Sequence, residues 1–117
     1  MQRDPLRDVV DAPLFIVPRV LDRLRDYRAA PKLTQLANGE ERSRLAVALD
    51  ALAERLLTDL ARHPTRFWVL KQCQLPLELA QAASLEARQG FAAELRQLFS
   101  LLGMGDADDV LYFYLGD

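Results

Sequence analysis

The chain has 117 residues, of which 50% are hydrophobic and 27% are charged, and its formal net charge is −2. This length suits one domain that buries a hydrophobic core without a disulfide or metal staple. The balanced charge argues against a basic nucleic-acid binder. A single Cys and a single His exclude a disulfide framework, a Cys-rich zinc site and two-His metal motifs.

Proline residues and helical periodicity divide the N-terminal part of the chain into two segments. Asp4 and Pro5 are typical of the cap and first position of a helix, which predicts a short turn over residues 4–11. A second helix is predicted to begin near residue 13 or 18 and to end at residue 29, before Pro31. One face of this helix carries Val17, Leu21, Leu24 and Tyr27.

The strongest helical pattern lies in the middle of the chain. Asn38 is a favourable N-cap, and Glu40 and Glu41 complement the positive end of the helix dipole. Pro64 ends this pattern, and His63 lies in its last turn. Apolar residues recur every three or four positions over five turns, at Leu45, Leu49, Leu52, Leu56 and Leu60.

A third helix is predicted after the cap residue Thr65. Its apolar residues, between positions 67 and 79, surround most of the helix circumference, which is typical of the buried centre of a bundle. Pro76 lies inside this pattern and removes one helical hydrogen bond. We therefore expect a kink or a break at Pro76.

Two further helices are predicted towards the C-terminus. Ser84 caps the first, which ends at Gly103 and carries a stripe of Leu85, Arg88, Phe91, Leu95, Leu98, Phe99 and Leu102. Asp106 with Asp109 resembles a capping box that opens the segment 110–115. This segment has strand-like composition but no partner strand, so we favour a short helix closed by Gly116. The sequence thus predicts an all-α fold, in which residues 1–117 form a compact single-domain bundle of about four to six helices.

The C-terminal end follows an order of helix, Gly, acidic turn and helix. Residues 94–103 end in Leu-Gly, residues 108–111 read Asp-Asp-Val-Leu, and residues 115–116 are again Leu-Gly. This order, which covers about a fifth of the chain, resembles the closing pattern of a family of small, uncharacterised bacterial proteins. The resemblance implies a bacterial source and a single helical domain, and it assigns no catalytic or binding residue.

The residues with the most obvious catalytic chemistry have structural explanations. His63 lies at a helix C-terminus, where an imidazolium meets the negative end of the dipole, and Cys73 lies among apolar residues as a buried thiol does. Asp106, Asp108 and Asp109 lack the further oxygen ligands of a calcium loop. We therefore predict that the protein is not an enzyme and has no catalytic residues, no cofactor and no metal.

The first part of the sequence lacks the features of a targeting or membrane segment. Asp4, Asp8 and Asp11 interrupt the apolar run that a signal peptide needs, and nothing approaches the ~20 apolar residues of a membrane span. We expect a cytoplasmic protein that does not associate with a membrane. Asp22 and Asp26 interleave the arginines of residues 19–28, so a salt-bridged solvent face is favoured over a nucleic-acid surface.

Net negative charge is concentrated at the C-terminal end. Residues 76–117 carry two basic and seven acidic side chains, a net charge of −5, together with three consecutive aromatic residues at 112–114. Aromatic side chains in an acidic surface can form an interface to a basic partner, although they can equally close the core. The candidate partner-binding residues are Asp106, Asp108, Asp109, Tyr112 and Tyr114.

Three functions are consistent with these patterns. The first is a small protein-binding module, in its concrete form an immunity or antitoxin-type inhibitor or regulator of another bacterial protein with a basic face. The second is a small-molecule-binding or enzymatic bundle with a pocket near Pro76, to which His63, Arg66 and Lys71 contribute polar groups. The third is a structural protein that forms a homodimer through an exposed Leu-rich helix.

Overall fold

The computed structural model describes residues 12–105 and 107–116, which form five α-helices and no β-strand. The predicted all-α bundle of four to six helices is therefore confirmed. The short turn predicted for residues 4–11 lies outside the described residues. The helices are α1 (Pro18–Ala29), α2 (Gly39–Asp59), α3 (Arg66–Gln81), α4 (Leu85–Leu101) and α5 (Asp108–Leu115).

Three of the helices begin where their caps predict. Asn38, Thr65 and Ser84 each accept a hydrogen bond from the backbone N–H three residues later, at 3.0, 3.2 and 3.2 Å. Each of these bonds satisfies one of the N–H groups that a helix start leaves without a partner. The α2 helix passes into a single 3₁₀ turn, Leu60–Arg62, before Pro64 ends it.

The hydrophobic core forms around α2, which packs against α1, α3 and α4. Burial is complete along the predicted stripe of this helix, at Leu45, Leu49, Leu52, Leu56 and Leu60. The α5 helix closes the bundle against α3 and α4. None of the helices in the described part of the chain is both long and apolar enough to cross a bilayer.

The α3 helix continues through Pro76 without a break. Proline lacks an N–H, so the carbonyl of Gln72, four residues earlier, has no helical donor. Arg55 on α2 supplies the missing donor, since its Nη2 lies 3.1 Å from the Gln72 oxygen. A side chain from the neighbouring helix thus compensates for the proline.

Burial on α3 differs from the expectation that this helix would be buried all round. It contacts α2, α4 and α5, as a central helix should, but Leu75 is 75% exposed and Leu79 is 39% exposed. Two other residues assigned to core-facing stripes, Val17 and Leu85, are also exposed. Val17 precedes α1 and Leu85 begins α4, and both therefore lie at a helix end.

A buried lysine in the connection between α1 and α2 fixes this connection to α2. Lys32 is only 4% exposed, and its ammonium group lies 2.5 Å from the Ala30 carbonyl oxygen and 3.0 Å from the Asp50 carboxylate. The same group lies 4.6 Å from the centre of the Tyr27 ring. A buried cation is tolerated only when it is paired and hydrogen-bonded, and Lys32 meets both conditions.

Leu33 follows with a backbone conformation that is unusual for a leucine. Its φ is +58°, in the left-handed region, and its side chain is buried. The backbone N–H of Leu33 donates to the carboxylate of Glu94 on α4 at 3.0 Å. Such strain persists where the surrounding contacts fix the backbone, here through Lys32 on one side and Glu94 on the other.

The end of α4 confirms the predicted stop at Gly103. With a φ of +70°, Gly103 donates its N–H to the Ser100 carbonyl at 3.1 Å, and Met104 donates to the Phe99 carbonyl at 3.0 Å. This pair of bonds is the Schellman arrangement, in which a left-handed residue satisfies the last carbonyls of a helix. The predicted capping-box residue Asp106 lies outside the described residues, and Ala107 is the residue before α5.

Candidate partner-binding site

The last helix separates the predicted site residues into two groups. Because α5 packs on α3 and α4, its inner side is buried at Val110, Leu111, Tyr114 and Leu115. Residues three and four apart share a face of a helix, which places Asp108, Asp109 and Tyr112 together on the solvent side. These three residues are called the α5 outer face below.

The two predicted tyrosines have different surroundings. Tyr112 is 66% exposed, one helical turn after the two carboxylates. Tyr114 is 8% exposed, and its ring meets the edge of Phe113 at a centroid distance of 5.1 Å. Tyr114 therefore closes the core, as the alternative interpretation of the aromatics expects, and of the two tyrosines it is Tyr112 that is available at the surface. Asp106, the remaining candidate, lies outside the described residues.

The carboxylates of the α5 outer face are not equivalent. Asp108 forms an ion pair with Arg96 on α4, at 3.3 Å between Oδ1 and Nε. Asp109 is exposed and forms no ion pair within the described residues. Both lie in the first turn of α5, where negative charge complements the helix dipole. The acids thus stabilise the helix start, and Asp109 also leaves a negative charge facing solvent.

A cavity of about 540 Å³ adjoins this face, between the end of α4 and the start of α5. Phe99 and Leu111 provide its apolar lining, and the Arg96–Asp108 pair lies at its polar side. The backbone of Gly105, with a φ of +73°, contributes to the loop that borders it.

The other residues considered for chemistry have the surroundings that the sequence predicts. His63 is exposed, and its ring stacks on Trp68 at 5.4 Å with 18° between the planes. Cys73 is fully buried, and burial raises the pKa of its thiol to about 12, so the thiol stays protonated at neutral pH. Within residues 12–105 and 107–116, no three His, Cys, Asp or Glu side chains are grouped so as to hold a metal ion.

The arginine-rich face of α1 contains ion pairs, as predicted. Arg25 lies 2.8 Å from Asp22 on the same helix. Arg28 instead reaches across to α2, where it lies 3.1 Å from Glu54 and 4.0 Å from Asp50. Part of this basic charge is therefore neutralised by the neighbouring helix.

The backbone acceptor that Pro76 would leave for a ligand is already in use. The Gln72 carbonyl, which the proline leaves without a helical donor, accepts from Arg55. Lys71 donates to Gln74 at 3.4 Å, and His63 is stacked on an aromatic ring. The free backbone acceptor on which a ligand pocket at Pro76 would depend is therefore occupied by the protein itself.

Sequence reasoning missed the exposed apolar residues of α3. The apolar pattern places Leu75 and Leu79 on a helix buried all round, yet both lie at the surface. The signal that identifies this side is polar: Lys71 and Glu78 are spaced four residues before and three residues after Leu75, so all three share one face.

No protein-family model, curated protein or solved structure significantly matches this chain. The resemblance of the C-terminal fifth to a family of small bacterial proteins remains a prediction.

Proposed function

We propose that the protein is a binding module that recognises another protein through the α5 outer face. The observation that carries this proposal is Tyr112, a large aromatic side chain that is 66% exposed beside two carboxylates. Tyrosine is enriched among the residues that dominate interface energies, because it combines a large apolar area with a polar tip.

The negative charge of the same region indicates that the partner's surface is positively charged. Residues 76–117 carry a net charge of −5, and Asp109 leaves an exposed carboxylate next to Tyr112. Opposite charges across an interface accelerate association and exclude partners of the wrong sign. We therefore expect a partner with a basic face, whose lysine or arginine side chains meet the α5 outer face.

In its more specific form, the module is an immunity-type inhibitor or regulator in a bacterial cell. In this role the module would cover a basic surface of its target, because the α5 outer face carries negative charge. The adjoining cavity of about 540 Å³ would receive one side chain of the target. This form also predicts that the gene for the target lies beside the gene for this chain.

The test is to capture partners from the organism that encodes the gene, using the tagged wild-type chain and matched variants. Tyr112→Ala and Asp109→Lys alter the α5 outer face. Val47→Ala and Glu86→Lys are the controls, because Val47 is 67% exposed on α2 and Glu86, like Asp109, is an exposed acid in a first helical turn.

The expected result is one stoichiometric partner with a basic surface, retained by both controls and lost by both α5 variants. Binding should weaken as salt is raised, because the recognition is electrostatic. Absence of a stoichiometric partner, together with no toxin gene nearby, would refute the proposal. Equal retention by Asp109→Lys and Glu86→Lys would show that a partner binds elsewhere.

A further inference from the structure

The outer side of α3 carries an apolar stripe bordered by charges of both signs. Leu75, at its centre, is 75% exposed, and Leu79 one turn later is 39% exposed. Lys71 and Glu78 are both exposed on the same side of the helix. Ala82 continues the stripe at the end of the helix with a side chain too small to obstruct a neighbour. These five residues are called the α3 stripe below.

We propose that two copies of this chain associate through the α3 stripe, with the two α3 helices antiparallel about a two-fold axis at Leu75. In this arrangement Leu75 packs on Leu75 of the second copy, and each Lys71 faces Glu78 of the other copy. A two-fold interface of this kind must be self-complementary, because the same surface contributes both sides. The charges on the stripe meet that condition.

The spacing along the helix brings the opposite charges together. With a rise of about 1.5 Å per residue, Lys71 lies about 6 Å before Leu75 and Glu78 about 4.5 Å after it. Reversal of one helix about Leu75 leaves Lys71 and the other copy's Glu78 only about 1.5 Å apart along the axis. Two identical ion pairs therefore form, one on each side of the central leucines.

The angular positions agree with the same pairing. At about 100° per residue, Lys71 and Glu78 are rotated from Leu75 by about 40° and 60° in the same direction around α3. A two-fold axis perpendicular to the plane of two antiparallel helices keeps each residue on its own side of the interface. The leucines of the two copies therefore meet on one side of the line along which the two helices touch, and the ion pairs form on the other side.

The charges also select the direction of pairing. Parallel helices would place Lys71 against Lys71 and Glu78 against Glu78, and like charges across an interface are unfavourable. In the antiparallel arrangement Leu79 of each copy extends the apolar contact on the leucine side, and the ammonium group of Lys71 stays unburied on the other side. Within one chain, Lys71 makes a 3.4 Å contact with Gln74, a neutral side chain, which leaves its charge available to the second copy.

No residue of the α3 stripe belongs to the α5 outer face. Self-association and partner binding can therefore be tested separately. The molar mass is measured by sedimentation equilibrium and light scattering from micromolar to millimolar concentrations. The variants are Leu75→Glu, Lys71→Glu, Glu78→Lys and the double exchange of Lys71 and Glu78. The control is Val47→Glu, which places the same charge at a comparably exposed apolar residue of α2.

We expect the wild-type chain and the Val47→Glu control to approach twice the monomer mass of 13.3 kDa at high concentration. Leu75→Glu should remain monomeric throughout. Each single charge reversal converts two attractive pairs into two repulsive ones and should raise the dimer dissociation constant roughly tenfold or more, whereas the double exchange should restore it. A wild-type chain that stays monomeric, or a Leu75→Glu variant that still dimerises, would overturn the association. Failure of the double exchange to restore it would overturn the antiparallel register.

Discussion

Replacement of Arg55 by methionine should destabilise the protein, because Pro76 leaves the Gln72 carbonyl without a helical donor and Arg55 supplies one. The Arg55 guanidinium donates to the Gln72 carbonyl at 3.1 Å in a partly buried position. Methionine keeps most of the aliphatic stem but donates nothing, so the carbonyl loses this donor. A hydrogen bond from a charged donor contributes about 1.5–3 kcal/mol, and partial access of water reduces this to about 1–2 kcal/mol. For a domain of this size the melting temperature should fall by about 4–8 °C.

A double-mutant cycle with Pro76→Ala isolates the cause. Alanine at position 76 restores the backbone N–H that a helix normally offers to the carbonyl four residues earlier. In that background Arg55→Met should lower the free energy of unfolding by less than about 0.5 kcal/mol, which gives a coupling energy of about 1 kcal/mol. Urea unfolding followed by far-ultraviolet circular dichroism measures all four free energies. Arg44→Met, a substitution at an exposed arginine of the same helix, is the control.

An equal loss of stability from Arg55→Met in the wild-type and Pro76→Ala backgrounds would refute this reasoning. It would show that Arg55 stabilises α2 against α3 by packing or by charge, independently of the carbonyl that the proline leaves without a donor. A loss as large from Arg44→Met would likewise remove the specific role of Arg55.

Two further predictions concern the core. Gly90→Ala should raise the free energy of unfolding, measured in thermal melts, by about 0.5 kcal/mol, because alanine favours a helix interior. The atom closest to the new Cβ, at 2.8 Å, is the movable end of the exposed Gln35 side chain. A clear loss of stability would show that Gln35 cannot move. Burial raises the pKa of Cys73 to about 12 and also raises that of Tyr27, so their contribution to stability is present below the ordinary pKa values of 9 and 10 and is lost as pH rises above them. The urea midpoint should therefore fall between about pH 8 and about pH 10, and less so in Cys73→Ala; an equal fall in both proteins would contradict the role of the thiol.

Local rules were sufficient for the helices because the interactions that start and stop them are short-range. The caps at Asn38, Thr65 and Ser84 depend on a side chain and an N–H three residues away, and the stop at Gly103 depends on a left-handed backbone. The leucines of α2 share one face through the helical period alone. Each of these features can be read from a few neighbouring residues.

The features that sequence reasoning missed all depend on residues distant in the chain. Nothing near Lys32 indicates burial, because its partner Asp50 lies on the next helix. Nothing near Arg55 indicates its role, because it donates to the Gln72 carbonyl on the next helix, α3. The exposed side of α3 carries a polar signal in Lys71 and Glu78, but the packing of the helix against α2, α4 and α5 decides which of its apolar residues stay outside.

The sequence predicted only part of the candidate site, because the rest of the site depends on contacts between helices. Charge counting identified the acidic C-terminal end, and helical spacing placed Asp109 and Tyr112 together. Neither could assign Tyr114 to the core or Asp108 to an ion pair with Arg96, because both outcomes depend on how α5 lies against α4.

The bond between Leu33 and Glu94 has a consequence for the way the protein opens. Although Leu33 lies in the connection between α1 and α2, its amide hydrogen is buried and held by a carboxylate of α4. Exchange of that hydrogen with solvent deuterium therefore requires separation of the connection from α4, not fraying of the helices it joins. The amide of Leu33 should exchange as slowly as the central amides of α4, which would place this connection in the same cooperative unfolding unit as a helix that lies some sixty residues later in the chain.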